Sequence, residues 1–217
     1  MNKRLQVGLA PLLAIAAFAV MPVAAQAVPH VYENGVMSAE GKKLRLLGWG
    51  TLHPTNATLG APECHTVWTG YLENPTGGVA AVGQVQLFGT YECISPTCEA
   101  LGGTKFEIVT EKLPWTDAVT EPEAGVFRLS IGKKGEKGGS GSVELEVNCE
   151  GVSKSHPFGN LAPKILNNGK SIGASPGEDE FDAGSGELES EINGWTFPGK
   201  WKVMGYSGQQ MIGVKNP

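Results

Sequence analysis

The chain has 217 residues and a formal net charge of −5, from 17 basic and 22 acidic side chains. An acidic balance argues against nucleic acid or anionic lipid as partner, since both call for a basic surface. Glycine is abundant, at 31 residues, and no long stretch shows helical periodicity, so many short strands and turns are expected.

The N-terminus has the three parts of a secretory signal: basic Lys3 and Arg4, an apolar run from Leu5 to Met21, and Ala25-Gln26-Ala27. Gly8 and Pro11 interrupt the run, which weighs against a retained membrane anchor. Cleavage is therefore predicted after Ala27, leaving Val28 to Pro217 as a single β-rich domain. Loss of Lys3 and Arg4 takes the formal charge from −5 to −7. The remaining length holds one ordinary core and is marginal for two. No second apolar stretch is long enough to span a bilayer.

In chain order, Asn34-Gly35 between Val31-Tyr32 and Val36-Met37 predicts a tight hairpin, because both central turn residues need positive φ. Lys43 to Trp49 continues as a strand, and Thr51 to Ala61 reads as a loop. Asn56-Ala57-Thr58 matches a glycosylation sequon, which matters only in a host with that machinery. Cys64 to Leu72 has no cleanly polar face, which suits a strand covered on both sides. Val82 to Cys93 places Val85, Leu87, Tyr91 and Cys93 on one face, with Phe88 out of step. Thr104 to Leu113 is another strand, and Pro114 to Asp117 could hold one helical turn.

The clearest pattern lies between Gly125 and Glu150. Phe127, Leu129 and Ile131 alternate with polar residues, and so do Val143, Leu145, Val147 and Cys149. Joined by a Gly/Ser/Lys loop, the two arms read as an amphipathic hairpin. Beyond it, Asn167-Asn168-Gly169 predicts a turn. Gly173 to Glu191 carries seven acidic side chains and no basic one, the signature of a solvated edge. Two short strands, Trp201 to Tyr206 and Gln210 to Val214, close the chain.

Cys64, Cys93, Cys98 and Cys149 in an exported chain imply two disulfides. A Cys93–Cys98 clip with a Cys64–Cys149 bridge is preferred for local proximity. Chain entropy does not decide the matter: that pairing yields about 2.2 and 4.6 kcal/mol. The alternative, Cys64–Cys93 with Cys98–Cys149, yields about 3.6 and 4.1 kcal/mol, and inward-facing Cys93 favours it.

Candidate chemistry is sparse. Gly173-Ala174-Ser175-Pro176-Gly177 matches a nucleophile elbow, but Pro176 has no N–H to offer an oxyanion, so the stretch reads as a loop. His30, His53, His65 and His156 lack metal-ligand spacing, and no paired C-x-x-C is present. Phe181 and Ala183 occupy ligand positions of any Ca²⁺ loop in Asp179 to Glu191, leaving at most weak cation binding there. No catalytic residue, cofactor or metal is assigned. Trp68 reads as core, while Trp195 and Trp201 flank Pro198-Gly199, expected to be an exposed turn, and are the better candidates for ligand stacking.

Several stretches together resemble an uncharacterised family of exported, β-rich actinobacterial proteins. They include Tyr32-Glu33-Asn34-Gly35-Val36, Gly48-Trp49-Gly50-Thr51-Leu52, Glu73-Asn74-Pro75-Thr76-Gly77-Gly78, Tyr91-Glu92-Cys93, Leu113-Pro114-Trp115 and Met204-Gly205-Tyr206. The resemblance implies export and a shared β fold, and it transfers no activity and no site.

The expected architecture is all-β, a single antiparallel sandwich or partly closed barrel with two disulfides. The expected function is non-enzymatic binding at or outside the cell envelope; the sequence does not specify the ligand, and an envelope glycan is the candidate partner. The competing readings are a secreted polysaccharide hydrolase and a structural, self-associating surface protein. A glycan binder calls for aromatic side chains sharing one face, and a hydrolase for two carboxylates in a cleft. A structural protein calls for an unprotected sheet edge or a large apolar patch.

Overall fold

A computed structural model describes residues 28–33, 35–132, 142–166, 179–182, 187–189, 195–205 and 212–216. In chain order the strands begin with β1 (His30–Glu33), β2 (Val36–Met37), β3 (Leu44–Leu52), β4 (Glu63–Glu73) and β5 (Val82–Ile94). The helical turn α1 (Pro96–Ala100) follows, then β6 (Phe106–Glu111), β7 (Trp115–Glu123), β8 (Val126–Ile131) and β9 (Val143–Cys149). Next come β10 (Ser153–Ser155), β11 (Phe158–Gly159), β12 (Lys164–Leu166), β13 (Asp179–Asp182) and β14 (Glu187–Glu189). The last three are β15 (Trp195–Thr196), β16 (Gly199–Gly205) and β17 (Ile212–Lys215).

The expected all-β architecture is what forms. Eight antiparallel strands curl into a barrel in the order β12-β13-β16-β3-β4-β5-β7-β8, and the β8–β12 pair completes the ring. A second sheet, β10-β9-β11-β14-β15 with β6 also on β9, covers one side. A small sheet β17-β1-β2 contains the β1–β2 hairpin, with Glu33 paired to Val36 and Gly35 at φ 80°.

The barrel interior is aromatic. Trp68 meets Trp201 edge-on with centroids 6.1 Å apart, and Phe88 packs against both Trp201 and Trp115. Room for Trp68 comes from its cross-strand partner Gly48, where a Cβ would lie 2.1 Å from the indole. Leu44, Leu46, Leu72, Leu129 and Ile131 fill the rest, and the core continues into Val143, Leu145 and Val147 of the second sheet.

Several sequence expectations change in three dimensions. The arms at Phe127–Ile131 and Val143–Cys149 do bury the residues whose alternation singled them out, but they do not pair with each other. β8 pairs with β7 and β12 in the barrel, while β9 pairs with β6, β10 and β11 in the second sheet. Alternation reports which face is buried and is silent on the partner. Pro114–Asp117 forms no helical turn: Trp115 opens β7, and the helical turn is instead α1, where Ser95 accepts a hydrogen bond from Cys98 N–H and Pro96 starts the turn. The two closing strands also separate, β16 joining the barrel and β17 pairing with β1.

The disulfides are Cys64–Cys93 and Cys98–Cys149, so the expected Cys93–Cys98 clip and Cys64–Cys149 bridge are not formed. The reason is strand register. Cys64 and Cys93 lie on adjacent strands at one end of the β4–β5 ladder, whereas α1 turns Cys98 away from Cys93 and toward β9. The turn at Asn167-Asn168-Gly169 and the loop holding Ser175 lie outside the described residues. Within the acidic run, the backbone register of β13 sets Glu180 across from Lys202 and Asp182 across from Lys200.

Candidate functional site

The outer face of β3, β4 and β5 is where the chain exposes rings. β4 buries Cys64, Thr66, Trp68 and Leu72 and leaves His65, Val67, Thr69 and Tyr71 half-exposed on the other side. Its mixed composition therefore reflects an uncovered outer face, and the expectation of cover on both sides is corrected. β5 follows β4 with a β-bulge: Val85 pairs with Gly70 and Leu87 with Thr69, so Gln86 has no opposite residue. One inserted residue inverts the side-chain alternation. Phe88 consequently points into the core, while Leu87 and Tyr91, grouped with Val85 by parity alone, are each 48% exposed.

A second irregularity closes the ladder. Cys64 faces both Glu92 and Cys93, and Glu92 holds φ 49°, a left-handed conformation that costs a non-glycine residue about 1–3 kcal/mol. The Cys64–Cys93 bridge ties this bend down. Between the two bulges, Tyr91 lies over His65 with ring centroids 5.5 Å apart and planes inclined by 26°. His65 Nε2 is 3.9 Å from the Glu92 carboxylate.

Across the three strands, Trp49, Val67 and Gly89 form one row, bordered by Leu47-Thr69-Leu87 on one side and Thr51-His65-Tyr91 on the other. Rows on one face are about 6.8 Å apart and strands about 4.8 Å. A Cβ on Gly89 would meet only Val67 Cγ1, at 4.0 Å. The surface is therefore a shallow trough floored by Val67 and Gly89, with the Trp49 indole on one side and Leu87 and Tyr91 at the corners. Farther along, Lys43 Nζ sits 4.3 Å from the centre of the Tyr71 ring.

Beside Tyr91 the surface drops into a cleft of about 600 Å³ between β5 and β6. β7 pairs with β5 only as far as Val85, and the rest of that edge faces β6 without a backbone ladder. Two hydroxyls bridge the gap: Thr90 Oγ1 donates to Ile108 O at 2.8 Å and Thr110 Oγ1 to Phe88 O at 3.0 Å. The far wall carries Lys105, Glu107 and Val109. Lys105 pairs with Glu107, and this bond, aided by Asn148, holds the Glu107 carboxyl below the ordinary glutamate range.

Trp195 and Trp201 are not part of this site. Both are 1% exposed: Trp201 packs in the barrel, and Trp195 lies beside Phe197 with its Nε1 donating to Ser155 Oγ. Their polar-looking surroundings at Pro198-Gly199 belong to strand ends that fold inward. The tryptophan that does reach the surface is Trp49, whose sequence signal was present but blurred, since Leu46-Leu47 breaks the alternation of β3. His65 stacks on Tyr91, and His156 meets Glu111 and Glu146, surroundings that spacing did not disclose. Among the described residues, Asp117 is the carboxyl that burial pushes well above the usual range, and it lies on the inner face of β7, away from the cleft.

The site thus defines a class, an all-β domain with an aromatic outer face next to a polar cleft. No protein-family model, curated protein or solved structure matches the chain. Two disulfides, and no helix among the described residues long and apolar enough to cross a membrane, are compatible with a place outside the cytoplasm.

Proposed function

We propose that the protein is an exported, non-enzymatic binding domain that holds a glycan of the cell envelope on the outer face of β3, β4 and β5. The observation that carries this reading is the trough over Val67 and Gly89, flanked by Trp49 and Tyr91 in a chain that buries its other four tryptophans. A sugar ring has an apolar face that stacks on aromatic side chains and an equatorial belt of hydroxyls. The cleft next to Tyr91 supplies hydroxyl, carboxylate and ammonium groups for that belt. A hydrolase would need a carboxyl poised as general acid, and among the described residues the one raised far above its ordinary range, Asp117, faces the barrel interior. Export rests on the signal-like N-terminus together with the disulfides.

The test is co-sedimentation of the mature chain with purified envelope polysaccharides, repeated with Trp49→Ala and Tyr91→Ala. Each substitution is expected to weaken binding at least tenfold while leaving the melting temperature within a few degrees. Binding that survives both changes, or release of reducing ends on incubation, would sink the proposal.

A further inference from the structure

We propose that Glu111, Glu146 and His156 form a site for a divalent transition-metal ion of the zinc type on the outside of the second sheet. Glu111 ends β6, Glu146 lies in the middle of β9, and His156 stands in the two-residue link between β10 and β11. β9 pairs with β6 on one edge and with β10 and β11 on the other, so the three donors come from adjacent, backbone-paired segments. His156 Nδ1 is 3.6 Å from Glu111 Oε1, and one donor atom from each of the three lies within 4.8 Å of the others. Ligands bound at 2.0–2.2 Å around tetrahedral zinc stand about 3.3–3.6 Å apart, so the imidazole–Glu111 pair already has the required spacing. A turn of the Glu146 carboxylate brings in the third.

Charge points the same way. The cluster holds two carboxylates and one lysine: Lys154 Nζ lies 2.7 Å from Glu146 Oε2, and the next lysine, Lys112, is 2.6 Å from Glu144. With a neutral imidazole the group keeps an excess negative charge and a nitrogen lone pair. Glu146 is also largely shielded, its side chain 17% exposed, which strengthens attraction to a cation. One imidazole with two carboxylates suits zinc, copper or nickel, whereas calcium takes an all-oxygen shell of six to eight ligands. The ion and Lys154 compete for Glu146, and that competition separates a metal site from a surface ion-pair network.

The experiment is calorimetric titration of the full disulfide-bonded chain with ZnCl2 in a non-chelating buffer, with CaCl2 in parallel. One zinc per chain is expected, with no saturable calcium binding. His156→Ala and Glu111→Gln should each weaken zinc at least tenfold. Lys154→Ala should tighten it several-fold, a gain that a misfolded variant cannot produce. His65→Ala, on the other sheet, should leave the affinity unchanged. The proposal fails if zinc shows no saturation below millimolar concentration, if His156→Ala binds like the parent, or if Lys154→Ala weakens binding.

Discussion

Asp117 sits on the inner face of β7, 6% exposed, opposite Gly83, where any Cβ would come within 2.6 Å of its Oδ1. That oxygen has no hydrogen-bond partner among the described residues, and burial raises the carboxyl well above the ordinary aspartate range. A carboxyl raised on folding stabilises the native state below its unfolded pKa of about 3.9, and that stability is lost as pH rises toward the folded value. Asp117→Asn removes the proton but keeps the shape. Urea midpoints compared between pH 4 and pH 8 should show the variant gaining on the parent as pH rises, and parallel curves would remove Asp117 as the cause. Gly48 gives a second test at this scale. Gly48→Ala drives a methyl into the Trp68 indole in a packed barrel, and should cost about 1–3 kcal/mol in denaturant unfolding. Neither residue stood out in the sequence, because an aspartate at an inward position and a glycine beneath a tryptophan are defined by their cross-strand neighbours.

At the scale of the element, β5 carries the site because it is irregular. Gln86 is the residue without an opposite, and it decides that Phe88 enters the core while Leu87 and Tyr91 face out. Deleting Gln86 removes the bulge and sets Val85, opposite Gly70, directly beside Leu87, opposite Thr69, two pairs that already face opposite ways. The deletion should therefore leave every other β5 side chain on its present face and move the urea midpoint little. It should also preserve the His65–Tyr91 stack, which the tyrosine near-ultraviolet circular dichroism would report. Deleting Gln84, where the ladder is regular, is the contrast: a slip of one residue moves Val82 into the inner position of Gly83, where a Cβ would meet Tyr71 O at 1.9 Å, and should cost several kcal/mol. Strand existence was legible for β3, β4, β5, β8 and β9, where alternation or β-branched composition is strong. Bulges were not, because an inserted residue leaves composition untouched and shows only once a partner strand fixes the register.

For the whole molecule, the two disulfides do different work: one ties the helical turn to a sheet, and the other reinforces two strands already paired. Cys98–Cys149 anchors α1 to β9 in the second sheet, and Cys64–Cys93 clamps the end of the β4–β5 ladder beside the aromatic face. Non-reducing peptide mapping should recover these two pairs. Replacing Cys98 and Cys149 together by alanine should cost about 4 kcal/mol from the 51-residue separation alone. That is a large share of a typical domain's net stability of about 5–15 kcal/mol, so cooperative unfolding should move to markedly lower denaturant. Loss of Cys64–Cys93 should act more locally, loosening Tyr91 and weakening any ligand on the outer face.

The all-β class, the β1–β2 hairpin with Gly35 in its turn, and the buried parity of Phe127 to Ile131 and Val143 to Cys149 followed from the sequence by itself. Each depends on local chemistry: a turn that needs positive φ, or a period of two that divides a strand into a wet and a dry side. The tertiary structure alone decided that β8 and β9 belong to different sheets, which cysteines meet, and that Trp49 lies outside while Trp195 and Trp201 lie within. Those outcomes depend on which strand becomes whose neighbour. Pairing is set by the joint packing of the whole core and by loop closures whose cost rises only slowly with length, so proximity along the chain is a weak guide to proximity in space.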